Sequence, residues 1–168
     1  MTLQADISDL AKKLLEQCRS SGLTIGTVES CTGGLIAAAL TEIPGSSDVV
    51  MAGLVTYSNQ AKSALADVPN ALITQYGAVS EQVVGAMAMG GHSKLGVDLC
   101  IAVTGIAGPG GGSTHKPVGL VWFSVAHRGG VSTAQKKFGD IGRDQIRMQS
   151  VLVALDMLND AVVASQPG

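Results

Sequence analysis

Apolar residues at Ile7, Leu10, Ala11, Leu14, Leu15 and Cys18 recur every third or fourth position, with charged residues between them. That period lines one face of a helix, so residues 5–20 are predicted as an amphipathic helix. Ser20-Ser21-Gly22 ends it, since glycine readily takes the left-handed conformation that closes a helix. Leu23 to Val28 then forms a short apolar run, read as a strand. Cys31-Thr32-Gly33-Gly34 breaks the run, Leu35 to Leu40 resumes as helix, and Pro44-Gly45 stops it. Val49 to Tyr57 is a second strand. Ser58-Asn59 caps a short helix reaching Leu65. Pro69 to Gly77 reads as a loop with one helical turn, and Ser80 caps a helix to about Lys94 with Val83, Val84, Met87 and Ala88 inward.

Val97 to Val103 is nearly all apolar, as expected of a strand covered on both faces. A glycine-rich loop, Gly105 to Ser113, follows it. Val118 to Ala126 is a fourth strand, Arg128-Gly129-Gly130 a tight turn, and Val131 to Phe138 a fifth strand antiparallel to the fourth. A last helix runs from Arg143 to about Ala164. Helices alternating with strands predict an α/β fold: a three-layer α/β/α domain whose sheet of about five strands is mixed but mostly parallel. No repeat or linker divides the chain. Residues 1–168 are therefore expected to form one domain, with its core over 5–160 and a frayed tail, Ser165-Gln166-Pro167-Gly168.

Composition narrows the function. Aromatic residues make up only 3% of the chain, so the core must be built from Val, Ile, Leu, Ala and Met. Trp122-Phe123 is the sole aromatic pair, too little for a platform that stacks bases. Net charge is −2 and the basic residues are scattered, which argues against a nucleic-acid partner. Three cysteines without a C-x-x-C pattern favour a reducing compartment over a disulfide framework. No continuous apolar run approaches the roughly 20 residues of a membrane span, and the N-terminal residues do not read as a secretory signal. The expected location is cytoplasmic, with no membrane partner.

Four segments could carry chemistry. Glu29-Ser30-Cys31-Thr32-Gly33-Gly34 lies where a strand gives way to a helix, the end of an α/β sheet at which ligands bind. A helix start there offers free N–H groups that can hold an anion or an oxyanion. Ser30 is equally readable as a nucleophile or as a helix cap, and the segment is not a G-x-S-x-G elbow. Thr56-Tyr57-Ser58-Asn59-Gln60-Ala61-Lys62 occupies a second strand-to-helix junction. There Lys62 faces the positive end of a helix and, if buried, would lose basicity and become a usable base. Taken alone, a solvated lysine is the plainer reading.

Thr104 to Ser113 is neither a P-loop nor G-x-G-x-x-G, yet its glycines allow backbone to approach a ligand closely. Gly142-Arg143 opens the last helix, where an arginine can fork onto a phosphate or simply pair on the surface. His92, His115 and His127 are far apart in sequence, so neither a zinc site nor a Ser-His-Asp triad has support. A nucleophilic Ser30 would then take a lysine as its base.

The four segments, in this order, resemble the C-terminal domain of the competence/damage-inducible protein CinA, a family whose stand-alone members are nicotinamide-nucleotide amidases. The motifs are Val28-Glu29-Ser30-Cys31-Thr32-Gly33-Gly34, Thr56-Tyr57-Ser58-Asn59 with Lys62, Gly77-Ala78-Val79-Ser80-Glu81, and Thr104 to Gly112 followed by Lys116-Pro117-Val118-Gly119. The resemblance covers residues 5–160. It implies a homodimer or larger homo-oligomer that hydrolyses nicotinamide mononucleotide to nicotinate mononucleotide and ammonia in pyridine nucleotide recycling, without metal or organic cofactor. It implies Ser30 as nucleophile, activated by Tyr57 and Lys62. It also implies Thr32, Gly33, Asn59, Thr104, Gly105, Gly108, Gly112 and Arg143 as substrate-binding positions. The family often reads Gly-Asp-Arg before the last helix; here Gly139-Asp140-Ile141-Gly142-Arg143 separates the acid from the arginine. The molybdopterin-binding-like domain of full-length CinA lies outside the resemblance, so its activity is not assigned.

On this reading Lys62, directly or through Tyr57, takes the Ser30 proton, and N–H groups near Thr32-Gly33 hold the oxyanion. Rival readings are a Cys31 nucleophile, a different pyridine or lactam amide as substrate, and a nucleotide-binding or protein-interaction module of competence and DNA-damage systems without catalysis.

Overall fold

The computed structural model describes residues 2–165. Its elements are α1 (Leu3–Ser21), β1 (Ile25–Glu29), α2 (Leu35–Thr41), β2 (Val50–Val55), α3 (Asn59–Ala66), α4 (Asn70–Tyr76), α5 (Glu81–Leu95), β3 (Leu99–Gly105), β4 (Leu120–His127), β5 (Gly130–Lys137) and α6 (Arg143–Ser165). The strands form one sheet in the order β2-β1-β3-β4-β5. β1 pairs in parallel with β2 and β3, and the β3–β4 and β4–β5 pairings are antiparallel. Only β4 therefore runs against the other strands. The sheet is mixed and mostly parallel, within three α/β/α layers.

Alternation along the strands divides the core. Ile25, Leu99, Ile101, Val103 and Phe123 face α1, α2 and α6. Val28, Cys100 and Ala102 face α3 and α5. Length and composition alone would let α6 cross a membrane, a property that the count of continuous apolar runs passes over. Here Ile146, Val151, Ala154, Leu155, Leu158 and Val162 of that helix are buried in the first core cluster.

The last residue of β1 fixes the turn that follows it. Glu29 is 1% exposed, and its carboxylate accepts hydrogen bonds from the N–H groups of Gly34 (3.0 Å), Ile36 (3.1 Å) and Ala37 (2.9 Å). A carboxylate at a helix start satisfies donors that have no partner within the helix and opposes the positive dipole end. Gly33 and Gly34 both adopt positive φ, +61° and +101°, which residues with a Cβ rarely take. The glycine pair therefore lets the chain fold back far enough for α2 to begin on its own strand's carboxylate.

Several boundaries differ from the sequence reading; β1 and β4 each begin two residues later than expected and end one later. β2 stops at Val55, so Tyr57 lies in the connection and not at the strand end. Thr56 N–H still donates to the Glu29 carbonyl (2.8 Å), but its own carbonyl accepts from Lys62 Nζ, and the ladder ends there. β3 runs through Thr104 and Gly105, so the glycine loop begins at Ile106. Residues 70–76 form a seven-residue helix where one turn in a loop was expected; Pro69 presets the backbone just before its first residue. Ser165 of the expected frayed tail is helical, and 166–168 lie outside the described residues.

Close approach of α5 to α3 depends on Gly90. A Cβ there would lie 1.7 Å from the carbonyl oxygen of Ala66, the last residue of α3. Gly90→Ala is expected to force the helices apart, at about 1–3 kcal/mol. That is roughly 2–4 °C in melting temperature per kcal/mol at this chain length, measurable by thermal unfolding. Glu29→Ala should destabilise by about 1–3 kcal/mol for each N–H left without a partner. Denaturant unfolding would check this, and an unchanged midpoint would show that the cap contributes nothing.

Candidate active site

Ser30 continues β1 by one residue, its N–H donating to the Val103 carbonyl (3.0 Å). Alternation turns its side chain to the face opposite Glu29, toward α3 and α5. Ser58 caps α3, its Oγ accepting from Ala61 N–H (3.0 Å), and Lys62 follows one turn later. Lys62 is 1% exposed. Its Nζ donates to the Thr56 carbonyl oxygen at 2.9 Å and to Ser30 Oγ at 3.0 Å. Burial pushes its pKa below the ordinary lysine value, because a charged amine loses its hydration there. Among the described residues no carboxylate pairs with it.

A cavity of about 220 Å³ opens over this pair. Of the residues read from sequence, Ser30, Tyr57, Asn59, Lys62, Thr104, Gly105 and Arg143 line it together. Thr104 Oγ1 donates to the Ala78 carbonyl (3.0 Å), fastening the segment before α5 to the end of β3. Arg143, the first residue of α6, donates to the Gly108 carbonyl (2.9 Å) and to the Tyr57 hydroxyl (3.1 Å). Tyr57 is 61% exposed, and its hydroxyl bonds Arg143 rather than Ser30 or Lys62. No aspartate or glutamate lines the cavity, so its fixed charge is cationic.

The remaining positions stand behind it. Gly108 contributes its carbonyl to Arg143. Thr32 is fully buried, and its carbonyl accepts from Arg147 (3.1 Å). Gly33 donates its N–H to the Ser30 carbonyl (3.0 Å), which occupies the donor that an oxyanion would need. Gly112 packs on Val118, where a Cβ would come within 2.9 Å of the Val118 backbone nitrogen. Cys31 lines the cavity, yet burial raises its thiol pKa to about 12, so it stays protonated and is a poor nucleophile.

Sequence reasoning gave no role to Glu29, Arg147 or Val79. Glu29 stands inside the Ser30 motif, but the partner of its carboxylate is set by the turn. Arg147 follows Arg143 by one helical turn, a spacing that could have flagged it. Val79 lines the cavity from the Gly77-Ala78-Val79-Ser80-Glu81 motif, whose apolar residues carry no chemistry that would assign it a role. Among the described residues no group of three or more His, Cys, Asp or Glu could hold a metal ion.

Comparison with known proteins fits this geometry. The family model described as CinA C-terminal domain matches residues 7–162. The CinA-like protein of Synechococcus sp. (strain RCC307) is 50% identical over 155 residues, 92% of this chain and 37% of that protein. The CinA-like protein of Geobacter sulfurreducens is 51% identical over 140 residues, covering 83% and 34%. The chain thus spans little more than a third of the length of these curated relatives. Among solved structures, the competence/damage inducible protein CihA of Agrobacterium tumefaciens superposes with a TM-score of 0.91 at 49% identity, covering 94% of this chain and 95% of that one. A CinA superfamily protein of Escherichia coli gives 0.89 at 34% identity, covering 94% and 91%. Fold, motif order and matched length agree, and the chain belongs to the CinA C-terminal domain family.

Proposed function

We propose that this domain is an amidase that hydrolyses the carboxamide of nicotinamide mononucleotide, with Ser30 as nucleophile and Lys62 as its base. One observation carries the reading: a buried lysine of lowered pKa lies 3.0 Å from a serine hydroxyl at the floor of a cavity. A neutral amine there can accept the hydroxyl proton, and no histidine lines the cavity to compete for that role.

The steps balance. Lys62 takes the Ser30 proton as Oγ bonds to the carboxamide carbon. Collapse of the tetrahedral adduct breaks the C–N bond, and the Lys62 proton leaves on ammonia. Lys62 then deprotonates a water that attacks the ester, releasing nicotinate mononucleotide and free Ser30. Gly33 and Gly34 N–H groups are committed to Ser30 and Glu29. The Thr32 N–H, which has no partner among the described residues, is the remaining oxyanion donor in that turn, whereas the Cys31 N–H lies against its own thiol. Among the described residues Arg143 hydrogen-bonds a carbonyl and a phenol and no carboxylate, so its charge is free to meet the substrate phosphate. Tyr57 acts in this scheme by holding Arg143 at the rim.

Ser30→Ala should lower ammonia release from nicotinamide mononucleotide by ~10³-fold or more, whereas Cys31→Ala should retain it. Normal turnover by Ser30→Ala would remove the proposal. The rate, kcat/KM, should rise with pH as Lys62 loses its proton, through a pKa below the lysine value of 10.5. Lys62→Met should abolish turnover and also change the pH dependence of stability. Between the lowered folded pKa and the higher unfolded pKa, unfolding of the wild type takes up a proton. Wild-type stability therefore falls as pH falls through that window, and Lys62→Met lacks this loss. The variant's advantage in melting temperature should widen toward lower pH; parallel curves would show that Lys62 is charged in the folded state.

A further inference from the structure

A second cavity of about 310 Å³ adjoins the first. Val79 lines both and forms the wall between them. The sheet relates the two by register. Ser30 extends β1 beside β3, Thr104 pairs with Trp122, and Trp122 pairs with Gln135. At roughly 4.8 Å per strand, the Trp122 backbone lies about 10 Å from that of Ser30 along one row of the sheet. Trp122 also packs at the edge of the α5-side core, which puts both cavities on the same face.

The second cavity is preformed and chemically distinct. Lys116 Nζ donates to the Tyr76 carbonyl (2.6 Å), while Thr104 holds Ala78 from the other side, so the dividing segment is tied at both ends. Trp122 is half-buried and supplies a flat apolar surface. Gln82 and Gln135 are exposed amides on the rim, each with donors and acceptors suited to the edge of a heterocycle. Lys116 has no carboxylate partner among the described residues, although Glu81 also stands on the lining. A flat ring surface, amide groups and an unpaired ammonium fit a heteroaromatic base joined to a phosphate.

We propose that this cavity is a nucleobase subsite, in which a purine nucleotide lays its base on Trp122 and its phosphate toward Lys116. Such a group could be the distal half of a dinucleotide whose carboxamide end occupies the Ser30 cavity, a case that rests on the amidase reading. It could equally be a free mononucleotide bound beside the substrate. A single platform serves one base, so the scarcity of aromatics that argues against a nucleic-acid surface does not oppose it.

Trp122 is the only tryptophan in the chain, so tryptophan fluorescence comes from this cavity's own wall. Adenosine 5′-monophosphate should quench it saturably, in the wild type and equally in Ser30→Ala, which separates this test from the fate of the amidase reading. Lys116→Gln, and independently Gln135→Ala on the exposed edge strand, should weaken the binding, Lys116→Gln by about tenfold. Tighter binding of nicotinamide adenine dinucleotide than of the monophosphate would assign the subsite to a substrate's distal half. Equal binding, undisturbed by nicotinamide mononucleotide, would assign it to a free nucleotide. Absence of saturable quenching, quenching unaffected by both variants, or displacement of the monophosphate by nicotinamide mononucleotide would each overturn the proposal.

Discussion

The carboxylate of Glu29 is the contact from which the site is built. Glu29 and Ser30 are neighbours at the end of one strand, so their side chains leave on opposite faces of the sheet. One face receives α2, gripped by three N–H···O bonds to the carboxylate. The other receives α3 and Lys62. Fixing the first residue fixes the second, because the backbone between them has no freedom left once α2 is seated. The serine is thereby held without using its own hydroxyl as a cap, and that hydroxyl stays available to the lysine.

The same contact decides where an anionic ligand can go. A helix start at a strand's carboxyl end is commonly an anion site. Here the chain's own carboxylate already occupies the start of α2. The cationic character of the cavity comes instead from Arg143 at the start of α6 and from Lys62 in its charged form. Arg143 is bound to two uncharged oxygens, which orient the guanidinium without cancelling its charge. Lys62 is the opposite case: it is deeply buried, which favours the neutral amine that a base requires. Position along the burial gradient thus separates the two cations, one desolvated and one held at the rim.

Much of this was legible in the sequence because local signals and global fold agree. Ser58 and Ser80 announced α3 and α5 as caps, and both side chains accept the expected N–H bonds. The apolar run at 97–103 located the central strand. The motif order brought Ser30, Lys62, Thr104 and Arg143 to one cavity across more than a hundred residues. What escaped was set by which group each polar atom meets once the chain is folded. The Tyr57 hydroxyl belongs to Arg143, and the Gly33 N–H belongs to the turn, so their geometry depends on contacts that no spacing encodes. The end of β2 is a similar case, since its ladder stops where Lys62 claims the Thr56 carbonyl.

Small residues on α5 explain how a lysine from a short helix reaches the sheet at all. Gly91 faces the strands, where a Cβ would meet Val28 at 2.4 Å and Cys100 at 2.7 Å. Gly90 faces α3, where there is no room for a Cβ either. α5 is thus thinned on both sides, lying close on the sheet while α3 lies close on it. Interaxial distance follows the side chains at the contact, so bulkier residues at these two positions would carry α3 outward. Lys62 spans its gap to Ser30 only while that spacing holds. The cost is two glycines within one helix, each less favourable than alanine by about 1 kcal/mol. The aromatic-poor, glycine-rich composition is in this part of the fold a condition of the candidate site's geometry: close packing of small side chains sets the distance between Lys62 and Ser30.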